Sequence, residues 1–275
     1  MSQSKIMPGF RPTLAFALFY LGLVVLIPLS TLVFKSLQLS WVDFINIITH
    51  PRVIASFRVS FLNSLYAAAV AGMFGFVIAW VMVRYPFPGK RLLDALIDLP
   101  FALPTAVAGV VLATIFQPSG WLGSFLIANF GLKVAYTPLG IVIALIFIGI
   151  PFVVRTVQPV LQEFDTTMEE AASCLGASRW QVFSKVIFPN IFPAVLTGVS
   201  LAFARGVGEY GSVIFISGNL PFVSEIVPFL IITKLEQYQY AAATAIALTM
   251  LVISFLLLLL INLLQLWVRK RSGQI

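Results

Sequence analysis

The sequence is poor in the residues with which soluble enzymes do chemistry. It holds one cysteine, Cys174, and one histidine, His50. A disulfide framework is thereby excluded, as is a Cys/His metal cluster. No G-x-x-x-x-G-K-[ST] phosphate loop and no H-E-x-x-H helix occurs, so the chain carries neither an ATP cradle nor a zincin site of its own. Charge is scarce too, at 10% of residues against about 25% in an average soluble domain. The formal net charge of +7 comes from basic residues scattered at the ends of apolar runs. That is the habit of topology signals, not of a nucleic-acid patch.

What the chain has in excess is apolar sequence. Hydrophobic residues make up 60%, with 25 phenylalanines, and the mean hydropathy is +1.03. No soluble fold hides that much apolar surface, so the fold class is an all-α membrane protein with several spans. Six spans fit, near 14–34, 61–83, 102–116, 139–154, 193–216 and 241–268. The first follows Lys5 and Arg11, and is too long and too lacking in a cleavage site to be a signal peptide, so it reads as a retained span. The third is short and opens through the proline-rich "DLPFALPT". With both termini inside, eleven basic residues fall on the cytoplasmic side and five outside, with Arg205 within a span. This bias predicts cytoplasmic N- and C-termini. The three basic residues Lys35, Arg52 and Arg58 in the first outside stretch run against it.

The longest cytoplasmic stretch is then 158–190, between spans four and five. It contains "EEAASCLGASRW". Asp165 and Thr166 are candidate N-caps, and Glu169 and Glu170 stand in a first turn where the helix dipole favours anions. Ala171 and Ala172 continue the helix, and Gly176 stops it. Ser178 then caps a second helix starting at Arg179, with Pro189 and Pro193 expected to end it and open span five. A plain connector between bundled helices needs only about 2–8 residues. A small-residue helix flanked by glutamates and exposed to the cytosol instead suits docking into another protein's groove.

Inside span five, Arg205 is expected near the middle, with Glu209 four residues on and on the same face. An intramembrane arginine requires a reason. Two readings stand: a self-neutralising structural pair, or a cation lining an anion path. Gly206, Gly208 and Gly211 spell G-x-G-x-x-G, but they lie in an apolar span with no βαβ context, so they serve helix packing and bending. Pro100 and Pro104 free carbonyls at the mouth of span three, where Thr105 could join a polar path or the kink could simply close packing. Arg155 ends span four and reads as an anchor or a path residue. Asp94 and Asp98 are expected in a solvated patch near Lys90 and Arg91, and nothing is assigned to His50 or Cys174.

The stretch "EEAASCLGASRWQVFSKVIFP" resembles the EAA motif of permease subunits of ATP-binding-cassette (ABC) importers. Glu170, Ala171, Ala172, Gly176 and Pro189 match the pattern, with Val186 and Phe188 as apolar replacements for its Ile and Leu. "FPGKRLLDALIDLPFALPTAVAGV", "GIPFVVRTVQPVL" and "ARGVGEYGSVIFISGN" are similar to the sulfate/thiosulfate branch of the CysT type, with molybdate and tungstate permeases next in pattern. The resemblance implies a MetI-like permease fold. Residues 1–56 would form the N-terminal span and outside loop, 57–268 the importer-type domain with its coupling segment 158–190, and 269–275 a basic tail. It implies a translocation subunit, not an enzyme, in a bacterial inner membrane, moving sulfate or thiosulfate by alternating access. The coupling helix (Glu169, Glu170, Ala171, Ala172, Gly176, Arg179) would dock on an ATPase. Arg205, Glu209, Thr105 and Arg155 would be candidates for the substrate path. This chain would bind no cofactor, ATP and Mg being used by the partner. The implied partners are a second, CysW-like permease, two copies of the ATP-binding subunit and a periplasmic sulfate-binding protein, with no nucleic acid. The rivals are an ion-coupled secondary transporter, for which only Glu209 is a suitable intramembrane acid, and a membrane enzyme, for which no nucleophile–base set is present.

Overall fold

The computed structural model describes residues 10–271. Lys5 and residues 272–275 of the basic tail lie outside them. Among the described residues every regular element is helical. In chain order the α-helices are α1 (Phe10–Leu21), α2 (Ile27–Leu37), α3 (Trp41–Ile48), α4 (Pro51–Arg84), α5 (Lys90–Ala102), α6 (Thr105–Phe116), α7 (Trp121–Phe130), α8 (Pro138–Gln162), α9 (Thr167–Cys174), α10 (Arg179–Val182), α11 (Phe188–Val207), α12 (Val213–Ile216), α13 (Val227–Glu236) and α14 (Tyr240–Arg271), with π-helical turns at Gly22–Leu26 and Phe183–Ile187.

Among the described residues, five rods are long and apolar enough to cross a membrane: Pro12–Leu37, Pro51–Arg84, Pro138–Gln162, Arg179–Val207 and Tyr240–Leu263. α5 and α6 make a sixth if taken together, bent by 111° at the break between them. The cause is legible. Pro104 cannot donate an amide and disfavours helix at Leu103, whose backbone is extended (φ −81°, ψ 136°). The expected third span, 102–116, is therefore only the second leg of a bent pair, since 12 helical residues cover about 18 Å.

Span five also differs from its expected bounds. It begins at Arg179, passes through a π-helical turn at Phe183–Ile187, and stops at Val207. Pro189 does not end the helix that precedes it. The wider turn contains Lys185, the residue whose carbonyl Pro189 would strand, and the Asn190 side chain donates to the Val186 carbonyl at 2.7 Å. Beyond Val207 the chain leaves helical geometry over Gly208–Tyr210 before the short α12.

The centre of the bundle is α4 against α8 and α11. Small residues permit this contact. Ala71, Gly72, Gly75 and Ala79 line the buried face of α4. A Cβ on Gly75 would meet Val153 at 2.7 Å, and one on Gly198 would meet the Val153 Cα at 2.8 Å. Close approach of this kind holds membrane helices together where no hydrophobic driving force separates them from lipid. The first span is the opposite case: none of its apolar window is buried within the chain, and Phe16, Leu18 and Phe19 point outward.

Candidate docking peg and intramembrane polar site

The segment between α8 and α11 forms a peg at one end of the bundle. Its start is set by Asp165, whose Oδ1 accepts from the Thr167 amide at 2.9 Å. That amide, followed by the Thr167 hydroxyl, holds the Asp165 carboxyl below its ordinary value. Thr166 occupies the N-cap position, yet its hydroxyl makes no capping bond, so Asp165 takes that part alone. At the other end Gly176 is left-handed (φ +85°). Its amide donates to Ser173 at 3.0 Å and the Ala177 amide to Ala172 at 3.1 Å, which are the two bonds of a Schellman stop. Ser178 follows with a full capping box: its amide donates to Gln181 Oε1 at 2.8 Å, and its hydroxyl accepts from the Gln181 amide at 3.3 Å. Helix, glycine stop and second cap occur in the order the residues predict.

The peg has two faces. Ala172 and Ala177 turn inward onto the bundle core. Met168, Ala171 and Leu175, three and four residues apart, share the outward face with Cys174. Leu175 is 89% exposed and Trp180, just beyond, 70%. Glu170 and Arg179 are exposed beside them. Glu169 points the other way and pairs with Arg84 at the end of α4. An exposed apolar face rimmed by charge, on an element projecting from the bundle, is the chemistry of a protein contact.

A second polar site lies where two helices break. α11 ends just after Arg205, so this residue stands in the last turn and not mid-span. Glu209 lies beyond the helix, buried, with one carboxylate oxygen paired to Arg205. Its other oxygen accepts from the Ser212 amide at 2.9 Å and hydroxyl at 3.0 Å. The pair is thus not two residues on one helical face; Glu209 folds back to close the break. Thr105, at the start of α6, meets the same turn: a Cβ on Gly211 would lie 2.2 Å from its Oγ1. Gly109 fits against Ser212, where a Cβ would sit 2.4 Å from the carbonyl oxygen. Gly206 packs near Ser64 and Leu145. Glu209 is satisfied, while the Arg205 side chain, paired to it through Nη1, is 37% exposed.

The structure pairs Arg205 with Glu209, sets Thr105 against Gly211 of the same turn, and engages Arg155 elsewhere. Arg155 lies toward the peg end of α8. It donates to both Asp98 oxygens at 2.8 and 2.6 Å, to Asp94 Oδ1 at 2.8 Å and to Gln158 at 3.0 Å. Asp94 and Asp98 remain partly solvated, with side chains 43% and 49% exposed, and they also fasten the first leg of the bent pair to α8. Sequence reasoning missed this cluster and two other ion pairs, Arg52–Glu225 and Arg84–Glu169. The available signal was the spacing of Asp94 and Asp98, which puts two carboxylates on one helical face. Among the described residues, no group of three His, Cys, Asp or Glu side chains is placed to hold a metal.

Residues 71–274 match the family described as binding-protein-dependent transport system inner membrane component. The chain belongs to this family. Similar permeases include the sulfate transport system permease protein CysT of Escherichia coli (strain K12), 49% identical over 96% of this chain and 95% of that protein. The protein of the same name in Synechocystis is 49% identical over 92% and 88%. The probable one of Marchantia polymorpha is 43% identical over 96% and 91%. Among solved structures, the permease is similar to a chain of a bacterial ABC transporter involved in the import of the acidic polysaccharide alginate, with TM-score 0.73, 14% identity, and 93% and 94% coverage. It is also similar to a chain of the inward-facing MetNI methionine ABC transporter, with TM-score 0.55, 19% identity, and 82% and 99% coverage. At these identities the structural likeness speaks for the fold, which is that of ABC importer permeases.

Proposed function

We propose that this permease is the translocation subunit of an ATP-driven importer that brings sulfate into the cytoplasm. The observation that carries the reading is nearly full-length identity, close to one residue in two, with sulfate permeases from bacteria and plants. The peg supports it physically. A chain without a phosphate loop must receive its driving force from elsewhere, and α9 presents an apolar, charge-rimmed face through which an ATPase can push.

In this reading both termini and the peg lie in the cytoplasm. The assembly consists of this chain, a second CysW-like permease, two ATP-binding subunits and an external binding protein. ATP and Mg are handled by the ATP-binding subunits. Nucleotide closes the ATPase pair, the pegs follow, and the permease pair moves between inward- and outward-open states. Glu170, Ala171, Leu175 and Arg179 form this chain's share of the docking surface. Arg205 stands at the wall of the path, where a dianion loses water and needs a cation, and Glu209 with Thr105 keeps the broken helices in place around it. Arg155 acts as a clamp between α5 and α8.

Reconstitution tests this. Proteoliposomes holding the four-subunit transporter, given binding protein outside and ATP inside, should take up sulfate, and omission of ATP should abolish uptake. Uptake that persists without ATP and collapses with the proton gradient would overturn the reading in favour of an ion-coupled carrier. Molybdate as the better competitor would move the substrate to that anion.

A further inference from the structure

We infer that Arg84 is a positioning residue for energy coupling: through Glu169 it ties the peg to α4, so that displacement of the docked peg reaches the bundle core. The inference rests on the reading of α9 as the ATPase-docking element.

The peg needs such a tie. α9 has only eight residues and hangs between the turn at 163–166 and the glycine stop at Gly176. Its outward face is given over to Met168, Ala171 and Leu175, and its inward packing is limited to small side chains, Ala172 with Ala177 after it. Methyl-group contacts resist compression but offer little against sliding or rocking. A charge-assisted hydrogen bond is directional and stronger.

Arg84 is built for that one partner. It is the last residue of α4, the 34-residue rod packed along both α8 and α11, so anything fixed to it is fixed to the centre of the bundle. Its guanidinium lies over the Trp80 ring, 5.1 Å from the centroid, which restricts the arginine. Its Nε is buried and has no acceptor. Both side chains of the pair are mostly withdrawn from solvent, unlike an ordinary surface ion pair, which contributes little. Each charge also complements its own helix, the cation at the C-terminus of α4 and the carboxylate in the first turn of α9. The two neighbouring glutamates thus divide the work: Glu170 faces the partner, and Glu169 faces the bundle.

The experiment measures sulfate uptake and ATP hydrolysis on the same proteoliposomes of the whole transporter. Glu169→Gln and Arg84→Gln should still co-purify with the ATPase and hydrolyse ATP. Sulfate imported per ATP should fall at least about fivefold, the low end of couplings between distant sites. Arg84→Lys, which keeps the charge, should retain part of the ratio, and the exchanged pair Arg84→Glu with Glu169→Arg should recover more than either single exchange. An unchanged import ratio in both glutamine variants would overturn the inference. So would loss of ATPase co-purification in Glu169→Gln alone, which would place Glu169 in the docking surface. Absence of ATP-driven uptake in the unaltered transporter is a different result, and it would refute the underlying functional reading.

Discussion

Removing Arg52 should damage the bundle far more than neutralising its partner. Glu225 follows a tight turn in which Asn219 and Phe222 have positive φ (52° and 66°). Its carboxylate is 1% exposed, while the Arg52 side chain is 28% exposed. Arg52 donates Nε and Nη2 to the two oxygens at 2.8 and 2.6 Å, and Ser56 adds a third donor at 3.2 Å. With the Val227 amide donating to Ser60 at 2.8 Å, this pair pins the 217–227 loop to α4. Arg52→Met strands a buried carboxylate with a single hydroxyl, and breaking a buried pair in this way costs about 3–5 kcal/mol. Glu225→Gln keeps an amide oxygen for the guanidinium, which can also reach solvent, so the loss is nearer ~1 kcal/mol. The difference of roughly 2–4 kcal/mol corresponds to a gap in melting temperature of the order of 5–15 °C, at about 2–4 °C per kcal/mol for a chain of this size class. Thermal melting of the two variants in the same detergent reads it directly. Equal shifts, or a larger one for Glu225→Gln, would refute the asymmetry and with it the assignment of the pair as a pin set by burial.

Three further outcomes follow from the same geometry. Gly109→Val drives a side chain into the Ser212 backbone, and melting should fall by about 5 °C, as expected of overpacking worth ~1–3 kcal/mol; an unchanged melt would show that α6 and α12 separate freely. Leu175→Asp changes a side chain that touches almost nothing in this chain, so melting should stay constant while affinity for the ATPase, read by titration, weakens about tenfold or more. The double variant Arg205→Ala with Glu209→Gln removes the ion pair without leaving a buried charge, and should reduce sulfate uptake while the protein still inserts; normal uptake would take Arg205 out of the path.

Local chemistry was legible in the sequence; partnership was not. The peg could be read almost residue by residue, because Gly176 and Ser178 act within a few positions of themselves. Five of the six apolar stretches are equally plain, since lipid imposes length and composition on each span alone, while the third is one leg of a bent pair. Where two elements meet, the reading failed for identifiable reasons. Arg52 looked like a stray positive charge outside, and its partner Glu225 lies 173 residues away. Asp94 and Asp98 read as solvated, which in part they are, but sequence alone cannot place Arg155, 61 and 57 residues on, beside them. The spacing of Glu209 from Arg205 allows a helical position. The helix in fact ends at Val207, and the same spacing is met by a carboxylate folding back over a turn. Pro189 reads as a helix stop, but the π turn just before it lets the helix continue through it.

The alanine-rich peg is the proposed seat of the ATPase, and Cys174 allows a direct test because it is the only cysteine in the sequence and is exposed on that peg. The rate of maleimide modification at Cys174, followed by mass spectrometry of this subunit, should be fast for the permease without ATPase and strongly slowed once the ATPase is bound. An unchanged rate in the assembled transporter, or slow modification in the absence of the ATPase, would rule out the peg as that seat.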